Sequence, residues 1–584
     1  MQAAAVAGAS HPQRELNETE KEFHDEHLPT KLAGDFSYRP SFAEVLYWAE
    51  RQREKEDNDK TVIHSAGISS AIHKFKEKKG KGYDESAVVT EVSSESGSHD
   101  YDDLAGLTER EISLVNARRV LRQAGWAAVF YLITCDILGP FNAPYSIASI
   151  GMAPGVILYL IFGVFAFLGG AALWYLFLKL DSVRYPIRLY GDLGQRVFGT
   201  WARHLSSIQQ SIQLVLNVGL ICLSNGQSLS QIITGAPGNH TLCFSVCVVI
   251  FSLIGMVAGQ IRTLRGIGGL ANLSIWLNLL IIFLSMGFIA HTPPNYAAAK
   301  ASGIDYSGPP KVVAVVSLPI FAQVNGVFNM VFAYGGAMIF PEIMAEMRRP
   351  RDFIKGMAIA QLVIVTAYLL YGIFVFSYQG QYTLALAYQG VSKYSFQTAC
   401  NVLALITGLI AAVLYGNIGL KVFYLNIVEG LFRGPPLMSK RGHLLWAPLV
   451  VIYWGLAFVI GSAIPSVGTL SGLVAAVCIF WFSYVWPPLL LLGYMMKVDA
   501  MVMDERFSQP GVAPRQIDTW RNFSRWNRGF FNGGSKRLIY KSLLLLWTLA
   551  GVATASLGMW ATGTDLRDAI SAGSASSFGC APPV

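Results

Sequence analysis

From residue 125 onward, apolar stretches of the sequence alternate with short polar loops. A helix needs about 20 mostly apolar residues to cross a bilayer, and eleven of the stretches are near that length. The pattern therefore predicts an all-α polytopic membrane protein with eleven transmembrane helices. The predicted spans are residues 125–150, 155–178, 207–234, 241–259, 267–290, 317–346, 353–378, 397–428, 445–463, 467–495 and 539–561.

The two ends of the chain differ from this apolar body. Residues 1–105 are polar and mixed in charge, a composition typical of a disordered tail. Within it, residues 41–50 (SFAEVLYWAE) predict a short amphipathic helix that either docks on the membrane or a partner, or forms only transiently. The sequence thus predicts a regulatory tail at 1–105, a transmembrane domain at 106–561 and a C-terminal tail at 562–584. The first tail is expected to control trafficking or turnover, with trafficking or ubiquitin-machinery proteins as partners.

Charge supports the membrane assignment and gives an orientation. Charged residues make up 14% of the chain, whereas about 25% is usual in soluble domains. Arginine and lysine concentrate in the loops on one side of the spans, and the opposite loops carry little beyond Lys300, Lys311 and Lys393. Positive loops face the cytoplasm, so the N-terminus is predicted to be cytoplasmic and the C-terminus extracytoplasmic. Because the basic residues lie between spans, the net charge of +8 does not indicate nucleic-acid binding.

Several function classes lack the residues that they need. The ten histidines lie in tails, loops or span ends, and the seven cysteines show no metal-ligand spacing. No segment resembles a nucleotide-binding loop, which argues against an ATP-driven pump. We therefore expect a protein that is not an enzyme and that uses neither a cofactor nor a metal.

The first span carries a break in its middle. Pro140 and Pro144 have no N–H to donate, and Gly139 weakens the turn between the freed carbonyls. Asp136 lies just before the break. Freed backbone groups and a carboxylate are tolerated at membrane depth where they line an enclosed or watery cavity. The alternative is a proline-kinked helix whose polar groups are satisfied by neighbours.

A second break is predicted five spans later, in span six. Gly335 and Gly336 lie near its middle, and Pro341 frees the carbonyl of Ala337. Breaks in spans one and six match a five-plus-five inverted repeat followed by one more helix. Half-helix N-termini attract a carboxylate and freed carbonyls attract an ammonium group, which is the polarity of a zwitterionic amino acid. Close helix packing is the alternative use of two glycines.

Polar residues in other spans predict a lined path. In span three, Gln210, Gln213, Asn217, Ser224 and Ser228 recur at three- and four-residue steps and so share one helix face. Hydrogen bonding between helices would equally explain this stripe.

Span eight adds an intramembrane cation. Lys421 lies in the inner half of that span, on one helix face with Asn417 and Tyr424. It either pairs with a carboxylate or carbonyl or extends to the cytoplasmic surface.

Three segments carry a family resemblance. Residues 135–140 (CDILGP), 190–194 (YGDLG) and 332–336 (FAYGG) resemble the first span, the loop between spans two and three, and the sixth span of the amino acid/auxin permease family. The resemblance is strongest to fungal neutral amino acid permeases and covers roughly residues 108–561. It implies the leucine-transporter fold and secondary transport of amino acids, often with protons. Asp136 stands where many relatives have a small residue, so ion coupling does not carry over.

Together, the breaks, the stripe and the resemblance predict a proton-coupled importer of neutral amino acids in the plasma membrane. Asp136 is the predicted coupling carboxylate, with Glu342 next and Lys421 as a nearby cation. The predicted substrate-binding residues are Ile137, Leu138, Gly139, Pro140, Phe141, Asn217, Tyr334, Gly335, Gly336, Ala337 and Tyr415. Two alternatives remain: a vacuolar exporter of the same fold, and a receptor that binds an amino acid without transporting it.

Overall fold

The protein is helical throughout the part that its computed structural model describes. That part comprises residues 40–58, 124–137, 139–236, 241–261, 264–304, 308–424, 427–428, 432, 434–435, 440–464, 466–505, 507, 514–571 and 577–581. Among these residues no β-strand forms, and β-structure is limited to two isolated bridges.

Eighteen α-helices follow one another along the described residues. They are α1 (Phe42–Asn58), α2 (Trp126–Ile137), α3 (Ala143–Ile150), α4 (Met152–Leu180), α5 (Tyr190–Phe198), α6 (Thr200–Thr234), α7 (Phe244–Ala258), α8 (Leu264–Ala290), α9 (Tyr296–Ala301), α10 (Ile320–Phe332), α11 (Phe340–Ala345), α12 (Phe353–Gln379), α13 (Tyr394–Phe423), α14 (Lys440–Ala463), α15 (Val467–Val474), α16 (Trp486–Ala500), α17 (Phe523–Phe531) and α18 (Gly534–Ser571). Two π-helical stretches, Ala475–Ile479 and Trp481–Val485, join α15 to α16.

The helices support a polytopic membrane protein. Within the described residues, eight helical segments are long and apolar enough to cross a membrane, and α10 with α11 makes a ninth if the bent pair is one span. Helix α7 is apolar but only 15 residues long. The first predicted span consists of α2 and α3, each too short to cross alone. The predicted count of eleven and the inverted repeat are therefore not established by helix length and composition.

Both predicted breaks interrupt their helices. Between α2 and α3 the chain forms a short 3-10 turn at Pro140–Asn142, which begins directly after Gly139. Helix α10 ends at Phe332, a second 3-10 turn covers Gly335–Ile339, and the two halves of span six are bent by 45°. The missing proline N–H groups and the flexibility of glycine explain these positions.

Backbone hydrogen bonds hold the two broken spans side by side at both ends. At one end, the Ala124 N–H donates to the Glu346 carbonyl over 3.1 Å, and the Arg348 N–H donates to the Ala124 carbonyl over 3.0 Å. At the other end, the Val316 N–H donates to the Ile150 carbonyl over 3.1 Å. The Met152 N–H donates to the Val313 carbonyl over the same distance. With their ends joined, the two breaks face each other midway along the pair.

Part of the predicted N-terminal tail is an ordered helix docked on the bundle. Helix α1 buries Val45, Trp48 and Ala49, as the amphipathic pattern of residues 41–50 predicts for a docked helix. The prediction of disorder for residues 51–58 was wrong, because their charges find partners on the bundle. The rest of the 1–105 tail lies outside the described residues.

Ion pairs fix α1 to the loop that follows α4. The Arg53 guanidinium lies 3.1 Å from the Asp181 carboxylate, and their side chains are 8% and 0% exposed. The Tyr185 hydroxyl donates to the Glu44 carboxylate over 2.7 Å, and burial raises the pKa of Tyr185 to about 12, so it remains a neutral donor. Helix α1 thus uses buried charge as well as apolar contact.

Replacing Arg53 with alanine should release α1. The substitution leaves Asp181 buried without its cation, and breaking a buried pair in this way costs about 3–5 kcal/mol. Limited proteolysis of the purified protein should then cut between α1 and the first span much faster than in the unmodified protein. Arg51→Ala is the matched control, since Arg51 donates to the Tyr47 hydroxyl and lies over the Trp48 ring, both within α1. Equal cleavage of the two variants would contradict this role of Arg53.

The C-terminal segment is tied back onto the bundle by a disulfide. Cys243, just before α7, is bonded to Cys580, 337 residues away in sequence. The Phe244 N–H donates to the Cys580 carbonyl over 3.1 Å, and the Phe578 N–H donates to the Ser462 carbonyl over 3.0 Å. The chain is also helical to Ser571, beyond the predicted span end at 561, and Gly563 does not interrupt the helix.

Candidate functional site

A central cavity of about 230 Å³ lies where the two broken spans meet. Gly139 and Phe141 line it from the first break, and Gly335 and Gly336 line it from the second. A Cβ atom built on Gly335 would stand 3.2 Å from Cδ1 of Ile479, so the glycine brings backbone close to the opposite wall. On two sides, the cavity is therefore bounded by backbone that does not form a regular α-helix.

Helix α6 supplies the polar wall of this cavity. Gln213 and Asn217 lie one turn apart on it and line the cavity, and both are buried. Oε1 of Gln213 and Oδ1 of Asn217 have no hydrogen-bond partner among the described residues. A buried carbonyl oxygen without a donor is costly, so the pair forms an acceptor site for a ligand that carries N–H groups.

The remaining walls are uncharged. Helix α13 contributes Tyr415, and the ring of Tyr388 meets Phe141 edge-on with ring centroids 5.1 Å apart. The described lining contains no aspartate, glutamate, lysine, arginine or histidine. Its other members are Asn142, Leu220, Ile221, Ser224, Asn225, Ser274, Asn278, Phe332, Met338, Tyr368, Leu386, Ala404, Thr407, Gly408, Ile410, Ala411, Leu414, Val467, Ser471 and Ile479.

Not every residue predicted to bind substrate reaches the cavity. Pro140 and Ala337 are buried in the turns behind it. Tyr334 is also buried, its hydroxyl donates to the Tyr159 carbonyl over 2.8 Å, and its own carbonyl accepts from Ser483 Oγ over 2.9 Å. The Tyr334 carbonyl at the second break is thus already satisfied. The Ile137 side chain and the whole of Leu138 lie outside the described residues.

Polar residues that were not predicted as site residues join the first break to α10 and α15. Asn142, at the end of the first break, donates from Nδ2 to the Asn329 carbonyl in α10 over 3.3 Å. The Asn329 side chain is hydrogen-bonded to Ser471 and donates to the Gly468 carbonyl over 2.9 Å. Asn142 and Ser471 both line the cavity. Their position inside apolar spans was the only available signal.

Glu342 lies in α11, directly after the second break, with its carboxylate directed into the protein. One oxygen accepts from Gln210 Nε2 over 3.0 Å and from the Tyr190 N–H over 3.2 Å. The other oxygen is buried and has no partner among the described residues. No cation of the described part forms an ion pair with it. An unpaired buried carboxylate is less costly in its neutral form, which makes Glu342 a group suited to bind a proton.

The other predicted coupling residues differ in their surroundings. Lys421 lies near enough to Glu346 for the two charges to interact, which favours a carboxylate partner over extension to the surface. Glu346 follows Glu342 by one helical turn but is exposed. Asp136 is the penultimate residue of α2, and its side chain lies outside the described part.

Comparison with known proteins decides the family. Residues 122–506, well over half of the chain, match the family described as transmembrane amino acid transporter protein. The chain belongs to this family. The resemblance to amino acid/auxin permeases is thereby confirmed, and membership identifies a transporter of amino acids embedded in a lipid bilayer rather than an enzyme. The matched region of this amino acid transporter contains both breaks and every residue of α6 and α13.

Fungal relatives agree with the family. The chain is 24% identical over 391 residues to the N amino acid transport system protein of Neurospora crassa. The aligned region covers 66% of this chain and 79% of that protein. It is also 24% identical over 317 residues to a transmembrane transporter of Fusarium pseudograminearum, covering 52% and 62% of the two chains. A transmembrane transporter of Gibberella moniliformis is 24% identical over 310 residues, covering 51% and 61%.

Proposed function

We propose that this amino acid transporter is a secondary active carrier that imports neutral amino acids across the plasma membrane with protons. The observation that carries the proposal is the chemistry of the central cavity. A lysine or glutamate substrate would bring a side-chain charge into walls whose described residues offer no opposite charge, and burying an unpaired charge is strongly unfavourable. A neutral side chain carries no such cost.

The cavity also suits the two charges that every amino acid carries. The unpaired oxygens of Gln213 and Asn217 support binding of the ammonium group, which has three donors and no acceptor. The turn at Gly335–Ile339 begins at the cavity, and its first N–H groups favour a carboxylate. Tyr415 on the opposite wall would contact the substrate side chain.

Proton coupling is assigned to a carboxylate beside a broken span. Glu342 joins the second break to α5 and α6 through its two hydrogen bonds, so a change in its charge would act on the second break and α6, which both line the cavity. Asp136 stands next to the first break and remains the second candidate. Protonation of either from outside and release to the cytoplasm would link proton movement to opening of the site.

The two faces of the molecule support the proposed orientation. Helix α1 of the tail contacts Asp181, Arg351 and Lys497, which belong to the loops predicted to be cytoplasmic. The Cys243–Cys580 disulfide ties the start of the predicted span 241–259 to the C-terminal tail, both predicted to lie at the opposite side. Disulfides persist in oxidising compartments, which supports an extracytoplasmic C-terminus.

A labelling experiment checks this orientation and the membrane together. After reduction of intact cells, a membrane-impermeant polyethylene glycol maleimide should add mass to the protein, and the Cys243→Ser/Cys580→Ser variant should not shift. The four free cysteines that the structure describes are buried and should not react. Labelling that requires permeabilised cells would contradict the proposal and favour the vacuolar membrane or the inverse topology.

The proposed specificity is tested by an uptake panel. The purified full chain in proteoliposomes should accumulate neutral amino acids when the outside is acidic, and should accumulate neither lysine nor glutamate. Uptake should fall strongly when pH is equal on both sides. Preferential uptake of a charged amino acid, or accumulation independent of the gradient, would contradict the respective part of the proposal.

A further inference from the structure

A second cavity, here called the outer cavity, lies between the central cavity and the face that carries the disulfide. It has a volume of about 300 Å³ and is bounded by the loop after α9, the start of α15 and the last turns of α18. Its polar lining includes Tyr145, Gln227, Gln389, Ser466, Thr469 and Asp565. These residues come from five separate parts of the chain, so the fold builds the cavity rather than one loop.

Asp565 is the one charged residue in the described lining of this cavity. Its Oδ2 accepts from Asn325 Nδ2 over 2.8 Å and from Thr469 Oγ1 over 2.7 Å. These two bonds orient the carboxylate without neutralising it, and no cation of the described residues forms an ion pair with it. The neighbouring Arg567 pairs instead with Asp568 over 3.1 Å. The outer cavity therefore carries a net negative charge.

Gln389 provides an independent sign of a missing ligand. Its side chain is 1% exposed, and Nε2 donates to Ser228 Oγ over 3.2 Å. Its Oε1 is buried and accepts no hydrogen bond from any described residue. A carboxylate and an unpaired amide oxygen in one cavity call for a ligand that is positively charged and donates hydrogen bonds.

The start of α15 adds the opposite polarity. Val467 and Gly468 are the first residues of this helix, and both line the outer cavity. The Thr469 N–H already donates to Ser466 Oγ over 3.4 Å, so the N–H groups of Val467 and Gly468 are the first-turn groups that favour an anion. Val467 also lines the central cavity, as does Leu386, so two side chains separate the two spaces.

We propose that the outer cavity is a second binding site for a zwitterionic amino acid, with its ammonium group on Asp565 and its carboxylate at the start of α15. This inference rests on the proposed transport function, since an amino acid held there is next to the central cavity, separated from it by the side chains of Val467 and Leu386. A metal cation is the poorer occupant. No group of three or more histidine, cysteine, aspartate or glutamate side chains in the described part could hold a metal ion.

Equilibrium binding to the purified full chain tests the second site. A radiolabelled neutral amino acid carried by the protein should bind at two molecules per chain. Asp565→Asn should weaken binding of the amino acid in the outer cavity about tenfold or more, because the hydrogen bond from its ammonium group no longer has a charged acceptor. The measured stoichiometry at moderate concentration should then be one, whereas Asp568→Asn should keep two. An N-acetylated amino acid, which lacks the ammonium group, should not compete for the outer molecule.

The outcomes separate this proposal from the transport proposal. Unchanged stoichiometry and affinity in Asp565→Asn would overturn the outer site whatever the carrier does. Filling the central cavity with Gly335→Leu/Gly336→Leu should leave one molecule per chain, and its failure to do so would count against the central site alone. If Asp565→Asn does not fold, Gln389→Met decides, because it removes the unpaired oxygen. The outer site falls if that variant also binds two molecules with unchanged affinity.

Discussion

Replacing Gly335 and Gly336 together with leucine is expected to abolish transport while the protein still reaches the membrane. Both glycines line the central cavity, and two leucine side chains would occupy the volume that the substrate needs. Leucine also favours a helix at the position where the chain forms a 3-10 turn. Initial uptake should fall by about two orders of magnitude, since a close-packed site tolerates little displacement of its ligand.

The matched control places the same change where there is room. A Cβ atom on Gly287 in α8 or Gly455 in α14 would meet nothing within 4 Å. Gly287→Leu/Gly455→Leu should therefore keep most of the uptake, which separates the cavity from a general effect of leucine in a span. Normal uptake by well-expressed Gly335→Leu/Gly336→Leu would mean that substrate is bound elsewhere.

The second large effect is expected at Glu342. Glutamine copies the neutral carboxyl group and keeps an oxygen for the bonds from Gln210 and Tyr190, but it cannot release a proton. Glu342→Gln should lose accumulation driven by an acidic exterior and retain exchange of substrate at equal pH. The measurement is uptake of a labelled neutral amino acid in proteoliposomes with and without an imposed gradient.

Asp352→Asn is the control for that experiment. Asp352 precedes α12 and pairs with Lys355 at the surface, so its neutralisation should leave gradient-driven uptake intact. If Glu342→Gln still concentrates substrate against a gradient, the coupling group lies elsewhere, and Asp136→Asn is the next variant to measure.

The breaks were predictable from local chemistry, whereas the groups that satisfy them were not. Pro140 and the pair Gly335 and Gly336 mark the turns because of what their own backbones lack or allow. The carbonyl of Tyr334 is satisfied by Ser483, which is 149 residues away. No periodicity in the sequence encodes that contact. The sequence predicted that the backbone of Tyr334 binds substrate. In the fold, its carbonyl accepts a hydrogen bond from Ser483 instead.

The same distinction holds at the two ends of the chain. The apolar face of α1 could be read from the spacing of Val45 and Ala49, but its ion pair from Arg53 to Asp181 joins residues 128 apart. The disulfide joins Cys243 to Cys580, and the connectivity of cysteines does not follow from their positions. Local pattern thus identified the elements, and long-range contacts determined how they are fixed.

Exchange across a membrane tests the central claim most directly. Proteoliposomes that contain the purified full chain are loaded with an unlabelled neutral amino acid and diluted into a trace of the same amino acid carrying a label. A carrier should draw label inward above its outside concentration for a time, and Gly335→Leu/Gly336→Leu should not. Label that stays at the level of protein-free liposomes, although the protein binds the amino acid in detergent, would identify a receptor and contradict transport.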